Sequence, residues 1–267
     1  MSVPAITKAV AVLRDLASSG EPVTLARLAL DLNLPKSSLH DVCTTLVESG
    51  LVEKDGGGGY LLGPFVVELA RQYLSSTDLV GNFLSLCRSL ELNEAIVLSV
   101  LNGTDVVYVA CVNADRPLAI RYQIGMRLPA AFTASGKAIL ATKSDAEVRS
   151  LLGVGIDSLV HPGTSKSTVD LLAELALIRE RGYSIDDEET AVGMICLGAP
   201  VVQGRSEECH AAVAISMVKS SSRPIPREVP DEVRRIAAML STNLGAATGW
   251  RTGDTAASGP SGRALEH

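Results

Sequence analysis

Apolar residues recur at helical spacing over Ile6, Ala9, Val10, Leu13 and Leu16, again over Leu25, Leu28, Ala29 and Leu32, and a third time over Leu39, Val42, Leu46 and Val47. Each run predicts an amphipathic helix with one packed face. Pro22 bars the first helix from continuing past residues 18–20. Thr24 stands where its hydroxyl would cap the second helix, and Pro35 and Gly50 bracket the third as a first-turn residue and a C-terminal stop. The Asn33-Leu34-Pro35 link is so short that the second and third helices must cross steeply, as in a helix-turn-helix. After Gly50, the runs LVEK and YLL flank a glycine-rich turn at 55–59 and predict a two-stranded wing.

The helical period returns over residues 61–74 through Leu62, Val66, Leu69, Ala70 and Tyr73, predicting a linker helix directly after the wing. A polar break at 75–78 would cap the next helix, 79–92, which turns Leu79, Phe83, Leu86 and Leu90 toward a core. At Glu94 the period changes to two. AIVLSVLNGTDVVYVACV predicts a hairpin about Asn102-Gly103, and a third strand is expected over 118–122. Thr133 to Gly136 then open a helix that runs through Ile139 and Leu140. Helices follow at 145–151 and 169–181, strands at 183–186, 194–202 and 211–218, and a last helix at 231–244. This order predicts an α+β chain whose larger part is an antiparallel sheet flanked by helices. The boundaries read as 1–63 for a winged helix-turn-helix domain, 64–76 for the linker helix, 77–247 for the sheet domain and 248–267 for a disordered tail. The final Leu265-Glu266-His267 reads as an expression scar.

Composition narrows the class. With 267 residues, 46% hydrophobic, 20% charged and a net charge of −6, the chain fits two folded domains and excludes a nucleic-acid-coating tail. No apolar run approaches the roughly 20 residues that span a bilayer, and no signal peptide opens the chain, so a cytoplasmic location without membrane contact is expected. Cys43, Cys87, Cys111, Cys196 and Cys209 form no C-x-x-C pair and have no histidine at zinc spacing, which predicts reduced thiols and neither metal nor cofactor.

The outward side of the third helix carries Lys36, Ser37, His40, Asp41, Thr44 and Thr45, residue types suited to a DNA major groove. Four signatures then stand in order: Lys8-Ala9-Val10, LPKSSLH, LVEKDGGGGYLLG and GMRLPAAFTASGKAIL. From about Ile6 to about Leu244 the chain resembles the IclR (isocitrate lyase regulator) family of bacterial transcription factors. The resemblance implies a ligand-responsive DNA-binding regulator, not an enzyme, with a GAF-like effector domain. It also implies a linker helix that helps dimerisation, and action as a dimer or dimer of dimers on a double-stranded operator. The DNA-binding residues would be Lys8, Thr24, Lys36, Ser37, Ser38, His40, Asp41, Thr44 and Lys54. The effector, a carboxylate or otherwise polar-headed metabolite, would meet Leu118, the amides of Ala134, Ser135 and Gly136, and Asp186, Cys196, Ser216 and Val218. Val218 stands where the family has a second pocket serine, Asp41 where it commonly has arginine, and Ala110 and Cys111 where an Asp-Arg pair is often seen. The serine lost at Val218 predicts a less polar ligand than small oxo-acids, Ala110 and Cys111 argue against glyoxylate or pyruvate as the effector, and Asp41 argues against ordinary affinity for the DNA backbone.

Plainer readings stand beside these. Lys8 is also a solvated lysine, Thr133 to Gly136 a close-packing stretch, Asp186 a turn acid, and Cys196 and Ser216 strand interior. Residues 1–62 carry Lys8, Arg14, Arg27, Lys36 and Lys54 against Asp15, Glu21, Asp31, Asp41, Glu48, Glu53 and Asp55, or 5 − 7 = −2. Phosphate neutralisation supplies most non-specific affinity, so a winged-helix protein with weakened or lost DNA binding, acting through protein partners, is the alternative. A thiol hydrolase built on Cys196, His161 or His210, and Asp186 is the other. No phosphate loop, dinucleotide fingerprint, nucleophile elbow or zinc-peptidase motif occurs.

Overall fold

The computed structural model describes residues 3–75, 78–90, 92–113, 120–153, 159–161, 164–202, 209–219 and 225–243. The chain divides after Thr77 into two compact units.

The first unit contains α1 (Pro4–Ser19), α2 (Leu25–Asp31), α3 (Lys36–Glu48), β1 (Val52–Lys54), β2 (Tyr60–Leu62) and α4 (Phe65–Ser75). Thr24 caps α2 by accepting from the Arg27 amide. Asn33, at φ 50°, makes the left-handed turn that swings the chain into α3, a conformation asparagine tolerates better than most side chains. Pro35 is the extended residue before α3 and not part of its first turn. The core joins Val12, Leu16, Val23, Leu28, Leu39, Cys43, Leu46, Val52 and Tyr60. The inward stripe of α3 is therefore Leu39, Val42, Cys43 and Leu46, while Val47 is turned toward solvent. In α1 the inward residues are Val12 and Leu16, with Ile6 and Val10 facing out.

The wing is a true antiparallel pair, with Lys54 opposite Tyr60. Val23 exchanges two 2.8 Å backbone bonds with Tyr60, an isolated bridge that ties the wing to the residue before the α2 cap. Asp55 Oδ1 accepts the Gly57 and Gly59 amides, which closes the wing turn. Past the wing, Gly63 passes so close to the end of α3 that a Cβ there would lie 2.3 Å from the Gly50 carbonyl oxygen.

The second unit opens with α5 (Leu79–Arg88) and holds a six-stranded, wholly antiparallel sheet. Its strands are β3 (Ala95–Asn102), β4 (Asp105–Val112), β5 (Arg127–Pro129), β8 (Ser184–Asp187), β9 (Met194–Val201) and β10 (Ala211–Val218), in the order β5-β4-β3-β10-β9-β8. Between them come α6 (Ala134–Ala141), α7 (Asp145–Leu152), a separate hairpin of β6 (Leu159–His161) and β7 (Thr164–Lys166), and α8 (Thr168–Arg181), with α9 (Glu228–Asn243) last.

Two expectations for the second unit need correction. The strand beside β4 is β5 at 127–129, while 120–122 are irregular and 118–119 fall outside the described residues. The helix expected to reach 92 ends at Arg88, where the Ser89 hydroxyl bonds back to the Leu86 carbonyl at 2.7 Å. The β6–β7 hairpin was not foreseen. The tail expected at 248–267 lies outside the described residues.

Alternation along the strands sorts the core into two faces. Ala95, Val97, Met194, Cys196, Ala212 and Ala214 join the cluster that includes α6 and the buried side of α8, and α5 and α9 pack on the sheet residues between them. All eight residues of α6 are buried, so this helix is sandwiched between sheet and α8. Arg179 of α8 caps it, donating to the Ala141 and Lys143 carbonyls at 2.9 Å.

Because the Gly50 carbonyl cannot move without unwinding the end of α3, Gly63→Ala should lower the stability of the first unit by about 2 kcal/mol in urea unfolding of the full chain. Gly56→Ala, where an added Cβ meets nothing within 4 Å, should leave the same transition unchanged or slightly raise it.

Candidate functional site

On α3, Lys36, Ser37, His40, Asp41, Thr44 and Thr45 are exposed on the side opposite the Leu39–Cys43–Leu46 stripe. Two of the hydroxyls are engaged by the helix itself: Thr44 donates to the His40 carbonyl and Thr45 to that of Asp41. His40 Nδ1 lies 3.8 Å from Asp41 Oδ1, an exposed pairing that forms only when the imidazole is protonated. Ser38 behaves differently from its neighbours. It is half-buried and accepts a 2.6 Å bond from Lys8 Nζ, which ties α1 to the first turn of α3. Lys54 is exposed on the wing with its ammonium over the Tyr60 ring, 5.5 Å from the centroid, and Thr24 is exposed but occupied as a cap.

In the second unit the strand register brings Asp186, Cys196, Ser216 and Ala95 into one row across four strands. Asp186, Cys196 and Ser216 are buried. The start of α6 lies over this face, and the Ser184 hydroxyl, next in line on β8, bonds to the Ala134 carbonyl. Thr133 caps α6 through the Gly136 amide at 3.0 Å, so that amide is spent within the cap, while those of Ala134 and Ser135 stand outside the helical ladder. Gly136 itself is a packing position: a Cβ would lie 2.2 Å from the Ala130 carbonyl oxygen. Ser135 Oγ is buried and closes no hydrogen bond of full geometry, although burial pushes the Tyr108 pKa up and Ser135 is near enough to restrain that rise.

Asp186 is knotted into its own turn, accepting the amides of Glu189 and Thr190 and the Thr190 hydroxyl. Burial pushes its pKa up, and Thr190 and Lys137 partly restrain that rise. Val218 is on the same sheet face but 55% exposed at the strand's end, two residues beyond Ser216, and Leu118 lies outside the described residues.

Two groups were missed from the sequence. Tyr122, from the irregular stretch after β4, places its hydroxyl 2.9 Å from Ser216 Oγ and 3.7 Å from Cys196 Sγ. Lys137, fully buried in α6, pairs with Glu174 of α8 and Glu189, and Lys166 of β7 pairs with the same two carboxylates, closing a ring of alternating charges. A lone lysine inside ASGKAIL was the available signal, since a charge in an otherwise small and apolar helix demands partners.

The described residues do not assemble the thiol-hydrolase set with His210. Burial, with Asp186 adding to it, pushes the Cys196 pKa up to about 12, so no thiolate forms near neutrality. His210 precedes by six residues the Ser216 that pairs with Cys196, roughly 20 Å along an extended strand. The side chain of His161 lies outside the described residues. Among the described residues no cluster suits a metal ion, and no helix is long and apolar enough to cross a membrane.

Residues 71–242 match the family model for the bacterial transcriptional regulator IclR C-terminal domain, and residues 5–56 match the IclR helix-turn-helix domain. The chain belongs to the IclR family. Family membership makes it a ligand-responsive, DNA-binding transcriptional regulator with an N-terminal reader and a C-terminal effector domain. It is 32% identical over 244 residues to the transcriptional repressor IclR of Escherichia coli K12, covering 89% of this chain and 86% of the relative. It is 31% identical over 192 residues to the regulator TtgV of Pseudomonas putida, covering 71% and 73%. Among solved structures, the repressor BlcR of Agobacterium tumefaciens is similar at 35% identity with a TM-score of 0.56, covering 92% of this chain and 99% of that one. An IclR regulator from Alicyclobacillus acidocaldarius, at 21% identity, shares the fold with a TM-score of 0.76 over 91% and 99% of the two chains. These relatives are transcriptional regulators or repressors.

Removing one member of the IclR effector domain's buried charge ring strands the others. Lys137→Met should therefore cost about 3–5 kcal/mol at neutral pH, read from urea unfolding. For Glu174, burial raises the pKa, but Lys137 and Lys166 together bring it below the ordinary glutamate value. A folded pKa below the unfolded one means stability that is present at neutral pH and lost as pH falls through the acid side of the glutamate range. The parent should show that acid loss, and Lys137→Met should show a shallower one.

Proposed function

We propose that this chain reads its operator through the outward face of α3 as a dimer or dimer of dimers, and that a small polar-headed metabolite, bound between the start of α6 and the Cys196–Ser216 row, changes its operator affinity. The observation that carries the DNA reading is the division of α3 into a fully packed stripe and an exposed polar face whose one lysine, Lys36, stands at the first turn. Ser37, His40, Asp41 and Thr44 would share that groove-facing side. Lys8 and Ser38 would act together, setting how α3 enters the groove, with Lys54 and Thr24 nearer the phosphates.

Pairing is supported by what the first unit leaves uncovered. In α4 no residue is buried, and the stripe of Val66, Leu69, Ala70 and Tyr73 includes Leu69 at 51% and Tyr73 at 58% exposure. Ile6 and Val10 add an outward apolar strip on α1. A reader with net charge −2 also gains most from doubling its contacts on linked half-sites. Two-fold pairing implies half-sites about 34 Å apart or a multiple of it.

The effector's chemistry follows from the charges around the site. Lys137 and Lys166 against Glu174, Glu189 and Asp186 give 2 − 3 = −1, and both lysines are already paired. The polar head would be held by the Ala134 and Ser135 amides and by the hydroxyls of Ser135 and Ser216, with Cys196 a less polar wall. One carboxylate or an uncharged oxygen suits this set, and a second negative group would meet Asp186.

Footprinting and salt titration on the neighbouring promoter, with and without candidate carboxylates, test the reading. Lys36→Ala should weaken all sequences alike and reduce the salt slope by about one unit, and an unchanged slope removes Lys36 from the phosphates. Leu69→Asp should shift the chain toward monomer in light scattering and weaken operator binding. A monomeric parent with full operator affinity contradicts the paired reading.

A further inference from the structure

The interior face of the sheet presents a thiol and a hydroxyl, Cys196 and Ser216, side by side in strand register, and the same phenol comes within reach of both. That phenol belongs to Tyr122, which is part of no helix or strand. Its backbone carbonyl is held by side chains, accepting from Asn113 Nδ2 at 3.3 Å and Cys111 Sγ at 3.5 Å. Yet the residue is only 3% exposed, and its ring packs on Tyr108 with centroids 5.1 Å apart. An irregular stretch of chain thus delivers a long, polar-tipped side chain into the core, at the place where the effector's head would have to sit.

Buried polar groups on adjacent strands are costly unless something bonds to them. Asp186, at the end of the same row, is satisfied by its own turn. Ser216 is bonded by the Tyr122 hydroxyl, and Cys196 has both that hydroxyl and Ser216 beside it. An effector's oxygen placed over this row would offer them the same hydrogen bonding, and both cannot occupy the space at once. We infer that Tyr122 is a tethered occupant of the effector pocket, its phenol standing in for the effector's polar head at Ser216 until a ligand displaces it. The inference rests on the effector site proposed above and adds the residue that decides what the site accepts. A ligand must out-compete a side chain whose effective concentration is set by its own chain, so only a head that bonds better than a neutral phenol gains entry.

Tyr122→Ala in the full-length protein empties that space, and p-cresol, the tyrosine side chain cut at Cβ, is the probe. Thermal unfolding and calorimetry should show saturable p-cresol binding to Tyr122→Ala and none to the parent. Toluene, which has the ring without the hydroxyl, should bind roughly five-fold more weakly, the worth of one neutral hydrogen bond. Adding Ser216→Ala should erase that preference, and p-cresol should shift the operator affinity of Tyr122→Ala alone. A folded Tyr122→Ala that ignores p-cresol, or takes toluene equally well, overturns the inference. Selective p-cresol uptake with no change in operator affinity upholds the exchange at Ser216 and instead sinks the effector reading of the pocket. Should Tyr122→Ala not fold, Tyr122→Phe keeps the ring and decides the matter. Loss of the hydroxyl should move ligand-free operator affinity by roughly three-fold or more. An affinity equal to the parent's overturns the proposal.

Discussion

An ammonium group cannot be taken out of water alone, and Lys137 carries one into a helix whose eight residues are all buried. The partners that answer that constraint come from outside α6. Glu174 comes from α8, Glu189 from the turn after β8, and Lys166 from the separate β6–β7 hairpin to balance the two carboxylates. Three elements distant in sequence are thereby fastened to one point on α6. The ring's geometry is specified by charge pairing, whereas an apolar core of the same volume would tolerate several packings.

With its middle held, the start of α6 is pressed against the sheet. Gly136 lies against Ala130, and Gly198 of β9 leaves room for the Ala134 carbonyl, which a Cβ there would approach to 2.6 Å. The Ser184 hydroxyl bonds that same carbonyl from β8. The glycines and the alanine are thus chosen for approach distance, and the two amides that stand outside the helical ladder are placed over a polar row as a consequence of that closeness. The turn closed by Asp186 feeds both systems: it holds the Asp186 end of the row, and it aims Glu189 at Lys137. A ligand that altered the row would therefore press on α6 and on the charge ring together.

Much of this was legible in residue order. The packed and exposed faces of α3, the Asn102-Gly103 hairpin and the glycine after α8 follow from local rules, and the α+β arrangement followed from the switch in period at Glu94. Errors fell where local rules tie. Cys43 and Val47 both lie within helical reach of the stripe, and only the tertiary neighbours choose Cys43. Three-residue strands such as β5, β6 and β7 carry too few alternations to read. The row of Asp186, Cys196 and Ser216 depends on register among three strands, which no local signal encodes, and Tyr122 reaches it from an irregular stretch that periodicity misplaced as a strand.

The two units meet different electrostatic problems. In the effector unit the buried charges are paired and the surplus near the row is one negative. In the reader, residues 1–62 carry a surplus of −2, which opposes the non-specific attraction to phosphate that DNA-binding domains generally draw on. The Lys8–Ser38 bond then gains importance, because it fixes α3 to α1, the helix that also carries the outward Ile6 and Val10 strip. If α1 lies in the pairing surface, the same helix joins groove entry to association. A change in how two readers are paired would then be felt at Ser38 without any movement inside the reader's core.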